Sequence, residues 1–300
     1  MRIGIDLGGT KIEAIALDDA GNECFRKRIP SPQGNYKDTL NTLIDLINEI
    51  EITTQMTGSV GIGIPGTVSP QTGLVKNANS TWLIGQPLKK DLELSLKREI
   101  RIENDANCFV VSEATDGAAK DAEVVFGVII GTGTGGGIYV RGQSITGANA
   151  IAGEWGHNPL PWPTKEEVDG RKCYCGQQGC IETWLSGPAF SYDHQTQNNL
   201  KETLSAKEIV RLAEEGDQNA LATLQRYEVR IAKSLASIIN IIDPDVIVLG
   251  GGMSNIKRLY ENVPKLWEEY VFSDHVVTKL VPPQHGDSSG VRGAAWLWLV

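Results

Sequence analysis

Three features are missing from this sequence: a long apolar segment, an excess of basic residues and a cysteine-rich framework. Apolar runs stay well short of the roughly 18 residues of a membrane-spanning helix, and Asp6 and Gly8 interrupt the apolar core that a signal peptide needs. The 28 Lys and Arg residues against 37 Asp and Glu give a net charge of −9, which provides no broad basic face. We therefore expect a cytoplasmic protein with neither nucleic acid nor membrane among its partners.

Cysteine is sparse and unevenly placed. The chain has five cysteines, an odd number, and a chain of this length buries a core without disulfide staples. Three of the five lie between Cys173 and Cys180, a clustering that in a reducing compartment favours a metal site over disulfides. Cys24 and Cys108 occur in ordinary apolar contexts, and we expect both to be structural.

Glycine, by contrast, is abundant: 33 of the 300 residues against a usual share of about 7%. A strand, glycine loop, strand pattern occurs twice, so that Gly127 lies 123 positions after Gly4 in the same context. Solenoid units run about 20 to 50 residues, so this longer repeat indicates two related α/β domains. We expect residues 1–118, completed by a C-terminal helix at about 289–300, and residues 119–288, which carry the cysteine cluster.

Glycines follow buried strands at four places. They are Gly8–Gly9, Gly63–Gly66, Gly131–Gly137 and Gly250–Gly252. Backbone without a Cβ approaches a phosphate closely and donates N–H groups to it, whereas the alternative is that these glycines serve turns and close packing. The first loop is not a P-loop, because Thr10 precedes Lys11 and a strand follows. No convincing helix opens after a GxGxxG match, which disfavours a Rossmann fold.

The first loop also carries the groups that a magnesium-bound polyphosphate requires, because Asp6 precedes the turn and Thr10 and Lys11 follow it. This segment and the duplication resemble the actin-like, hexokinase-like (ribonuclease H-like) ATPase fold, in which two β-hairpin loops bind ATP phosphates in a cleft between two domains. The nucleotide-binding residues implied by the resemblance are Gly4, Asp6, Gly8, Gly9, Thr10, Lys11, Gly131, Thr132, Gly133 and Thr134 at the phosphates and Gly250, Gly251 and Gly252 at the adenosine.

The cysteine cluster follows a histidine. His157 with Cys173, Cys175 and Cys180 provides one imidazole and three thiolates, a donor set that fits a closed, tetrahedral and therefore structural zinc site. Two other interpretations remain open on the residues alone. The thiols are either reduced surface groups beside an unrelated histidine, or a CxC redox couple.

The same region carries a second resemblance. Glu154-x-Gly-His157 followed by Cys-x-Cys-Gly-x-x-Gly-Cys-x-Glu182 resembles the signature of the ROK family, which holds bacterial sugar kinases and sugar-responsive repressors. With the first glycine loop and the Gly-Val-Arg-Gly-Ala-Ala run at 290–295, the match covers essentially the whole chain. The resemblance implies that zinc holds the loop that carries Glu154 and His157 toward the sugar.

The segment Asn104-Asp105-Ala-Asn opens an apolar helix. In isolation it is best interpreted as a helix N-cap. It also resembles the ROK catalytic segment, which implies that Asp105 accepts the hydroxyl proton while the sugar oxygen attacks the γ-phosphate. The substrate-binding residues expected with it are Gly66, Asn79, Asn104, Asp105, Glu154, His157 and Glu182.

The ROK resemblance, together with the glycine loops and Asp105, implies an ATP- and Mg²⁺-dependent kinase that acts on the 6-hydroxyl of a hexose. The segments 76–82, 153–162 and 285–290 look most like bacterial fructokinases of the mannofructokinase type, so the resemblance implies D-fructose; glucokinases, mannokinases and N-acetylhexosamine kinases are the alternatives. A ROK-type repressor is disfavoured, because the first ATP-loop strand begins at residue 2. A third interpretation, a sugar-binding module without catalysis, is also disfavoured, because such a module has no need of Asp6, the second glycine loop and Asp105 together. Family members are commonly homodimers.

Overall fold

The computed structural model describes residues 1–78 and 80–298. The chain divides into two compact units. Unit 1 comprises Met1–Asp121, Gly137–Ala152 and Gln284–Val300, and unit 2 comprises Ala122–Gly136 and Gly153–Pro283. None of the helices among the described residues combines the length and the apolar character needed to cross a membrane.

Strands and helices alternate along much of the chain, as in other α/β proteins. The strands are β1 (Arg2–Leu7), β2 (Lys11–Leu17), β3 (Glu23–Pro30), β4 (Ser59–Ile64), β5 (Thr67–Val68), β6 (Val75–Lys76), β7 (Ile100–Asn104), β8 (Val124–Ile130), β9 (Thr134–Val140), β10 (Gln143–Ser144), β11 (Val246–Gly250) and β12 (Lys279–Val281). The helices are α1 (Tyr36–Thr54), α2 (Leu88–Leu96), α3 (Asp105–Thr115), α4 (Glu182–Leu185), α5 (Gly187–Gln197), α6 (Ala206–Glu214), α7 (Gln218–Ile242), α8 (Leu259–Trp267) and α9 (Ser289–Trp296).

The main sheet of unit 1 has the strand order β3-β2-β1-β4-β7. The strands β1, β2 and β3 pair antiparallel, whereas β4 and β7 continue the sheet parallel to β1. Ile3, Ile5 and Leu7 alternate along β1 and share one buried core with Leu43 and Ile47 of α1. Parallel pairing places the carboxyl ends of β1, β4 and β7 on one edge of the sheet, which is where open α/β sheets bind ligands.

Helix α9 packs on β1, β4 and α3 of unit 1. Glycines in the sheet allow the backbone of α9 to contact the backbone of the strands directly. A Cβ at Gly4 would overlap the carbonyl oxygen of Val291, and one at Gly61 would overlap that of Ala294. These two sheet glycines are therefore required by packing, and Gly4 does not need a nucleotide to explain it.

Gly293 on α9 offers a test of this packing. A Cβ at this position would overlap the carbonyl of Cys108 on α3, and both backbones are buried. At an open helical position, replacing glycine by alanine stabilises a protein by up to about 1 kcal/mol. Here we expect Gly293→Ala to lower the free energy of unfolding by about 2–4 kcal/mol, measured by urea denaturation. A stabilised variant would contradict the close contact.

A second test concerns the contact between His285, which precedes α9, and Asp116 at the end of α3. The Nε2 atom of His285 lies 3.1 Å from Oδ1 of Asp116, and this hydrogen bond raises the pKa of His285 above its ordinary 6.5. Because the folded pKa is the higher one, the stabilisation is complete below about pH 6.5 and is lost as the pH rises through the folded pKa.

We therefore expect His285→Gln to lower the free energy of unfolding by about 0.5–1 kcal/mol more at pH 5.5 than at pH 9. Urea denaturation at the two pH values measures the difference. The exposed His275 provides the control substitution, His275→Gln, for which we expect no comparable difference. An equal decrease in the free energy of unfolding at both pH values would show that protonation of His285 does not stabilise the fold.

The second sheet has the strand order β10-β9-β8-β11-β12. In unit 2, β8, β11 and β12 run parallel, so the segments after β8 and β11 leave the sheet at the same edge. The long helix α7 begins at its N-cap Asp217, whose side chain accepts a 2.8 Å hydrogen bond from the N–H of Ala220. It ends at Asp243, which adopts a left-handed conformation with φ of 45°.

Residues 137–152 group with unit 1, whereas the sequence repeat indicated one boundary near residue 118. The division falls inside β9. Local packing explains the grouping, because Gly137 lies against the backbone of α3 and Thr146 donates a 2.7 Å hydrogen bond to Glu103. A sequence repeat marks where similar strands occur, but it carries no information about which neighbours a returning segment contacts.

Candidate active site and metal centre

The polar residues predicted in unit 1 meet at the carboxyl edge of its sheet. Asp6 of β1 pairs in register with Gly63 of β4, and Ile64 of β4 pairs with Asn104 of β7. Burial raises the pKa of the neighbouring Cys108 thiol, and the charges of Glu103, Asp6 and Asp105 add to the increase. The carboxylates of Asp6 and Asp105, 99 positions apart in the sequence, are therefore close to the same buried thiol.

Asn104 and Asp105 join strand β7 to helix α3. Asn104 is the N-cap, and its Oδ1 accepts a 2.9 Å hydrogen bond from the N–H of Ala106. Its Nδ2 donates a 3.1 Å hydrogen bond to the carbonyl of Gly66. Asp105 is the first helical residue, and its Oδ1 also accepts from Ala106 N–H. The N-cap interpretation thus holds for Asn104 and leaves Asp105 beside it with a defined position.

Gly66 is a position where glycine is needed. Its φ is 156°, and a Cβ there would lie 2.7 Å from the carbonyl oxygen of Lys76 and 2.8 Å from the Cα of Ala78. The turn after β4 is therefore packed against the segment that leads to Asn79. Asn79, predicted as a sugar contact, lies outside the described residues.

Asp6 has an unusual environment for a carboxylate. It is partly buried, and loss of solvation together with the negative charge of Glu13 raises its pKa to about 6. Glu13 itself is fully buried and is neutralised by Arg26 and Arg28. Among the described residues, none donates a hydrogen bond to the Asp6 carboxylate. A cation bound here would supply that missing partner, which is the fit expected for Mg²⁺.

The first glycine loop is the hairpin between β1 and β2. Gly8 donates a 3.0 Å hydrogen bond from its backbone N–H to the carbonyl of Lys11, which closes the turn. Thr10 and Lys11 are exposed. Among the described residues, the Ser80 hydroxyl is the group near the Cβ position of Gly9, at 3.5 Å. The loop therefore has an open side, with a cation and a hydroxyl at its tip.

In unit 2, the other predicted nucleotide loops follow neighbouring parallel strands. Gly131–Thr134 follows β8 and Gly250–Gly252 ends and follows β11, and Gly250 pairs in register with Ile129. Gly251 has a φ of 78°, and a Cβ there would overlap the carbonyl of Ile130. The structure thus brings the two glycine loops together on one edge of the sheet.

Gly252 also borders a cavity of about 380 Å³ between α6 and the segment after β11. The sequence patterns did not identify the other residues around it. They are Ala206, Lys207, Val210, Met253, Asn255 and Ile256. This combination of apolar side chains with a few polar groups is typical of a small-molecule site. The sequence does not mark these residues, because α6 and the segment after β11 are far apart in the chain and come together only in the folded structure.

The Glu154–His157 segment is packed onto β9. Trp155 is buried, donates a 2.9 Å hydrogen bond from Nε1 to the carbonyl of Gly135, and contacts Phe126 edge to face. A Cβ at Gly156 would overlap the carbonyl of Thr134. Tryptophan and glycine between Glu154 and His157 therefore fix these two polar residues beside the second glycine loop.

Glu182 contacts that loop directly. Its Oε2 accepts a 2.9 Å hydrogen bond from the backbone N–H of Thr134. Tyr174 is exposed, yet loss of solvation and the negative charges of Glu182 and Glu154 raise the pKa of its phenol to about 12. These two glutamates and Tyr174 therefore share one neighbourhood in unit 2. Tyr174 is a residue that the motif interpretation missed, because it occupies the variable position between two cysteines.

The predicted metal ligands form a compact cluster. One donor atom from each of His157, Cys173, Cys175 and Cys180 lies within 4.8 Å of the other three. The Nδ1 of His157 is 3.6 Å from Sγ of Cys173, and Sγ of Cys175 is 3.6 Å from Sγ of Cys180. Tetrahedral zinc with S and N ligands separates them by about 3.5–3.8 Å. The geometry and the donor set both fit zinc, and all four ligands come from the protein.

The cluster also fixes the orientation of the His157 ring. With Nδ1 toward the thiols, Nε2 points the other way and lies 3.0 Å from the Tyr174 hydroxyl. A metal at Nδ1 would leave the proton on Nε2, which then donates to Tyr174 or to another oxygen. Burial raises the pKa of the Cys180 thiol to about 12 without a metal, so metal binding must displace a proton.

The two remaining cysteines differ. Cys108 is buried, in agreement with a structural role, whereas Cys24 is exposed. The expectation that Cys24 is structural is therefore wrong. Cys24 lies on β3, which is an edge strand among the described strands of its sheet. An apolar sequence context does not distinguish an edge strand from a central one.

Comparisons with known proteins agree with this arrangement. The profile of the ROK family matches residues 2–300. The chain belongs to the ROK family. A protein named N-acetyl-D-glucosamine kinase from Pectobacterium atrosepticum is 40% identical over 306 residues, which cover 100% of this chain and 99% of that protein. The ROK resemblance of the sequence motifs is thus confirmed, and the chain is a ROK family sugar kinase.

Solved structures of the ROK family confirm the predicted actin-like, hexokinase-like α/β fold. A ROK hexokinase from Thermus thermophilus has a TM-score of 0.87 and 28% identity, and the match covers 98% of this chain and 96% of that chain. A ROK family glucokinase from Streptomyces griseus, solved with glucose and AMPPNP, has a TM-score of 0.78 and 26% identity, covering 99% and 98%. The duplicated strand-loop-strand pattern is a consequence of this fold.

Proposed function

We propose that this ROK kinase transfers the γ-phosphoryl group of ATP to the 6-hydroxyl of an N-acetylhexosamine, with N-acetyl-D-glucosamine as the preferred substrate. The observation that carries the proposal is the 40% identity, over the whole chain, to a protein named N-acetyl-D-glucosamine kinase. Short segments of the sequence favoured D-fructose instead. Full-length identity outweighs them, because sugar selection depends on many positions that act together.

Asp105 is the proposed general base. The sugar hydroxyl transfers its proton to the Asp105 carboxylate as the oxygen attacks the γ-phosphorus. Beyond this step, phosphoryl transfer requires from the protein mainly the positioning of the reactants and the stabilisation of charge. Support comes from the fixed position of Asp105, because its neighbour Asn104 caps α3 and is tied to Gly66 by a 3.1 Å hydrogen bond. The Asp105 carboxylate thus has little freedom to move away from a bound hydroxyl.

The proposed sugar contacts are polar groups. Hydroxyl groups are recognised by planar groups that accept or donate in fixed directions. In unit 1 these are Asn104 and the backbone at Gly66, and Asn79 remains a proposed contact. In unit 2 they are Glu154, His157 and Glu182, and with a metal at Nδ1 the Nε2 of His157 would be a hydrogen-bond donor.

The nucleotide is proposed to bind the glycine loops. The loops Gly8–Lys11 and Gly131–Thr134 would hold the phosphates through backbone N–H groups other than those of Gly8, Gly131 and Thr134, which donate within the protein. Gly250–Gly252 with the cavity beside it would hold the adenosine. Asp6 would hold Mg²⁺, since its carboxylate has a raised pKa and receives no hydrogen bond from the described residues. When bound, Mg²⁺ neutralises charge on the β- and γ-phosphates.

Zinc is proposed to be structural. Its four protein ligands leave no open coordination position for a water molecule. Its effect would be to order the segment between His157 and Cys180 and, through His157, one face of the sugar site.

The substrate assignment is tested by ADP release from ATP and Mg²⁺ over a panel of N-acetyl-D-glucosamine, N-acetyl-D-mannosamine, glucose, mannose and fructose. We expect kcat/KM for N-acetyl-D-glucosamine to exceed that for fructose by at least about 100-fold. A preference for fructose would overturn the proposed substrate but not the kinase activity. Turnover with none of the five sugars would overturn the hexose kinase activity itself.

A further inference from the structure

The contact between Glu182 and the second glycine loop joins two parts of the proposed site. The Oε2 atom of Glu182 accepts its hydrogen bond from the N–H of Thr134, at the end of the Gly131–Thr134 turn. A Cβ at Gly133 would lie only 2.8 Å from the same Oε2 atom. The absence of a side chain at Gly133 is therefore what allows the carboxylate to reach the turn.

The other end of the turn is held from the same direction. Gly187, the first residue of α5, donates a 2.8 Å hydrogen bond from its N–H to the carbonyl of Gly131. Residues 182–187 thus hold both ends of the turn, one through a side chain and one through the backbone. Of these two bonds, only the one from Glu182 depends on the identity of a side chain.

We propose that Glu182 is a positioning residue for the ATP phosphates in addition to its proposed contact with the sugar. This inference rests on the proposed function of Glu182 and of the Gly131–Thr134 turn. A carboxylate has two oxygens and about four acceptor positions, so the bond to Thr134 leaves capacity for a sugar hydroxyl. One side chain then orders the phosphate loop and binds the acceptor substrate.

Glu182 affects nucleotide binding in two opposite ways, through its negative charge and through its hydrogen bond to Thr134. Its negative charge repels the phosphates, so removing it would strengthen ATP binding. Its hydrogen bond orders a turn with glycine at Gly131 and Gly133, which is costly to order without support. Mg²⁺ neutralises much of the phosphate charge, whereas a disordered turn loses several donors together. The ordering effect therefore dominates, and loss of the side chain weakens nucleotide binding.

The test measures binding of Mg²⁺-AMPPNP in the absence of sugar, together with KM values for sugar and for ATP. We expect Glu182→Ala to raise the Kd for AMPPNP by about 5- to 20-fold and to raise the sugar KM as well. Glu182→Gln retains a carbonyl oxygen that accepts from Thr134 N–H. We expect it to keep the Kd within about twofold of the wild type while the sugar KM still rises.

Glu154→Ala is the matched control. It removes another proposed sugar contact of unit 2 but leaves the Thr134 hydrogen bond in place, so the sugar KM should rise and the Kd for AMPPNP should not. Gly133→Ala breaks the same contact in a different way, because the added Cβ displaces the Glu182 carboxylate. It should therefore also weaken AMPPNP binding. Combined with Glu182→Ala, it should add nothing further, since both changes break one contact.

The outcomes separate this inference from the proposed function. Wild-type affinity for AMPPNP in Glu182→Ala, with a raised sugar KM, would overturn the positioning role and leave the sugar contact intact. Additive losses in the Gly133 and Glu182 double variant would also overturn it. Failure of the proposed function would instead appear as a wild-type protein that binds AMPPNP and phosphorylates no sugar. Melting temperature and zinc content identify any variant that fails to fold.

Discussion

Asp105→Asn should reduce kcat for the sugar by about 10³-fold while the sugar KM and the Kd for AMPPNP change little. Asparagine has nearly the size and shape of aspartate, but its amide cannot take the hydroxyl proton. A loss confined to kcat is the kinetic signature of a group that acts only in the transition state. Steady-state kinetics with N-acetyl-D-glucosamine measure kcat and KM, and equilibrium binding of AMPPNP measures its Kd.

The fold should tolerate this change. Asp105 accepts from the N–H of Ala106, a role that an asparagine oxygen retains, and Asn104 continues to cap α3. The favourable interaction of a negative charge with the helix N-terminus is worth about 0.3–1 kcal/mol, so the variant remains folded. Asp45→Asn, at an exposed position of α1, is the matched control and should have wild-type kcat. A kcat within tenfold of the wild type for Asp105→Asn would exclude Asp105 as the base.

Removing the metal should have the second largest effect. We expect Cys175→Ser to lose bound zinc, from about one ion per chain to less than about 0.1, and to lower kcat/KM for the sugar by at least about 100-fold. Cys175 is the informative position because it is exposed. Serine there creates no buried unsatisfied hydroxyl, so the effect reports on the metal and not on a damaged core.

The physical reason for this effect is the composition of the loop. Gly170, Gly176 and Gly179 all have positive φ values, and glycine in such turns loses much conformational freedom on folding. Few buried apolar side chains lie between Cys173 and Cys180 to compensate. Four metal bonds would supply the missing stabilisation and hold the ring of His157 in place.

Metal analysis and hydrogen exchange of residues 158–182 measure the predicted loss of order. Cys24→Ser, which removes another exposed thiol away from the cluster, should change neither zinc content nor activity. Wild-type protein that is fully active without stoichiometric zinc would contradict the structural role. A variant that loses zinc but keeps its sugar kinetics would show that the loop orders itself without the metal.

Several elements of the site follow from local rules, and for that reason the sequence predicts them. The asparagine before an apolar helix predicts the N-cap at Asn104, and the structure shows that this cap and a neighbouring carboxylate at Asp105 coexist. Short cysteine spacing with glycine turns predicts the cluster around His157, and its donor atoms do meet. An N-cap involves neighbouring residues, and the spacing of the cysteines matches a metal with strict ligand preferences.

Specificity for the sugar was harder to predict. Short segments favoured fructose, whereas the full-length comparison favours N-acetyl-D-glucosamine. Both sugars carry a 6-hydroxyl, so a catalytic motif that acts on this hydroxyl does not distinguish them. Discrimination between sugars depends on how the surroundings of a site place its polar groups, which a short motif does not encode.

Other features depend on contacts between residues far apart in the chain. By itself the sequence determined the family, the glycine loops and the clustering of His157 with three cysteines, because strand ends, caps and short cysteine spacing are local. Only the tertiary structure decided that Gly4 and Gly61 serve the packing of α9, that Asp6 has a pKa near 6 beside Glu13, and that Glu182 holds Thr134. Burial, charge pairing and hydrogen bonding across the fold depend on distance in space, and strand order and helix packing set that distance.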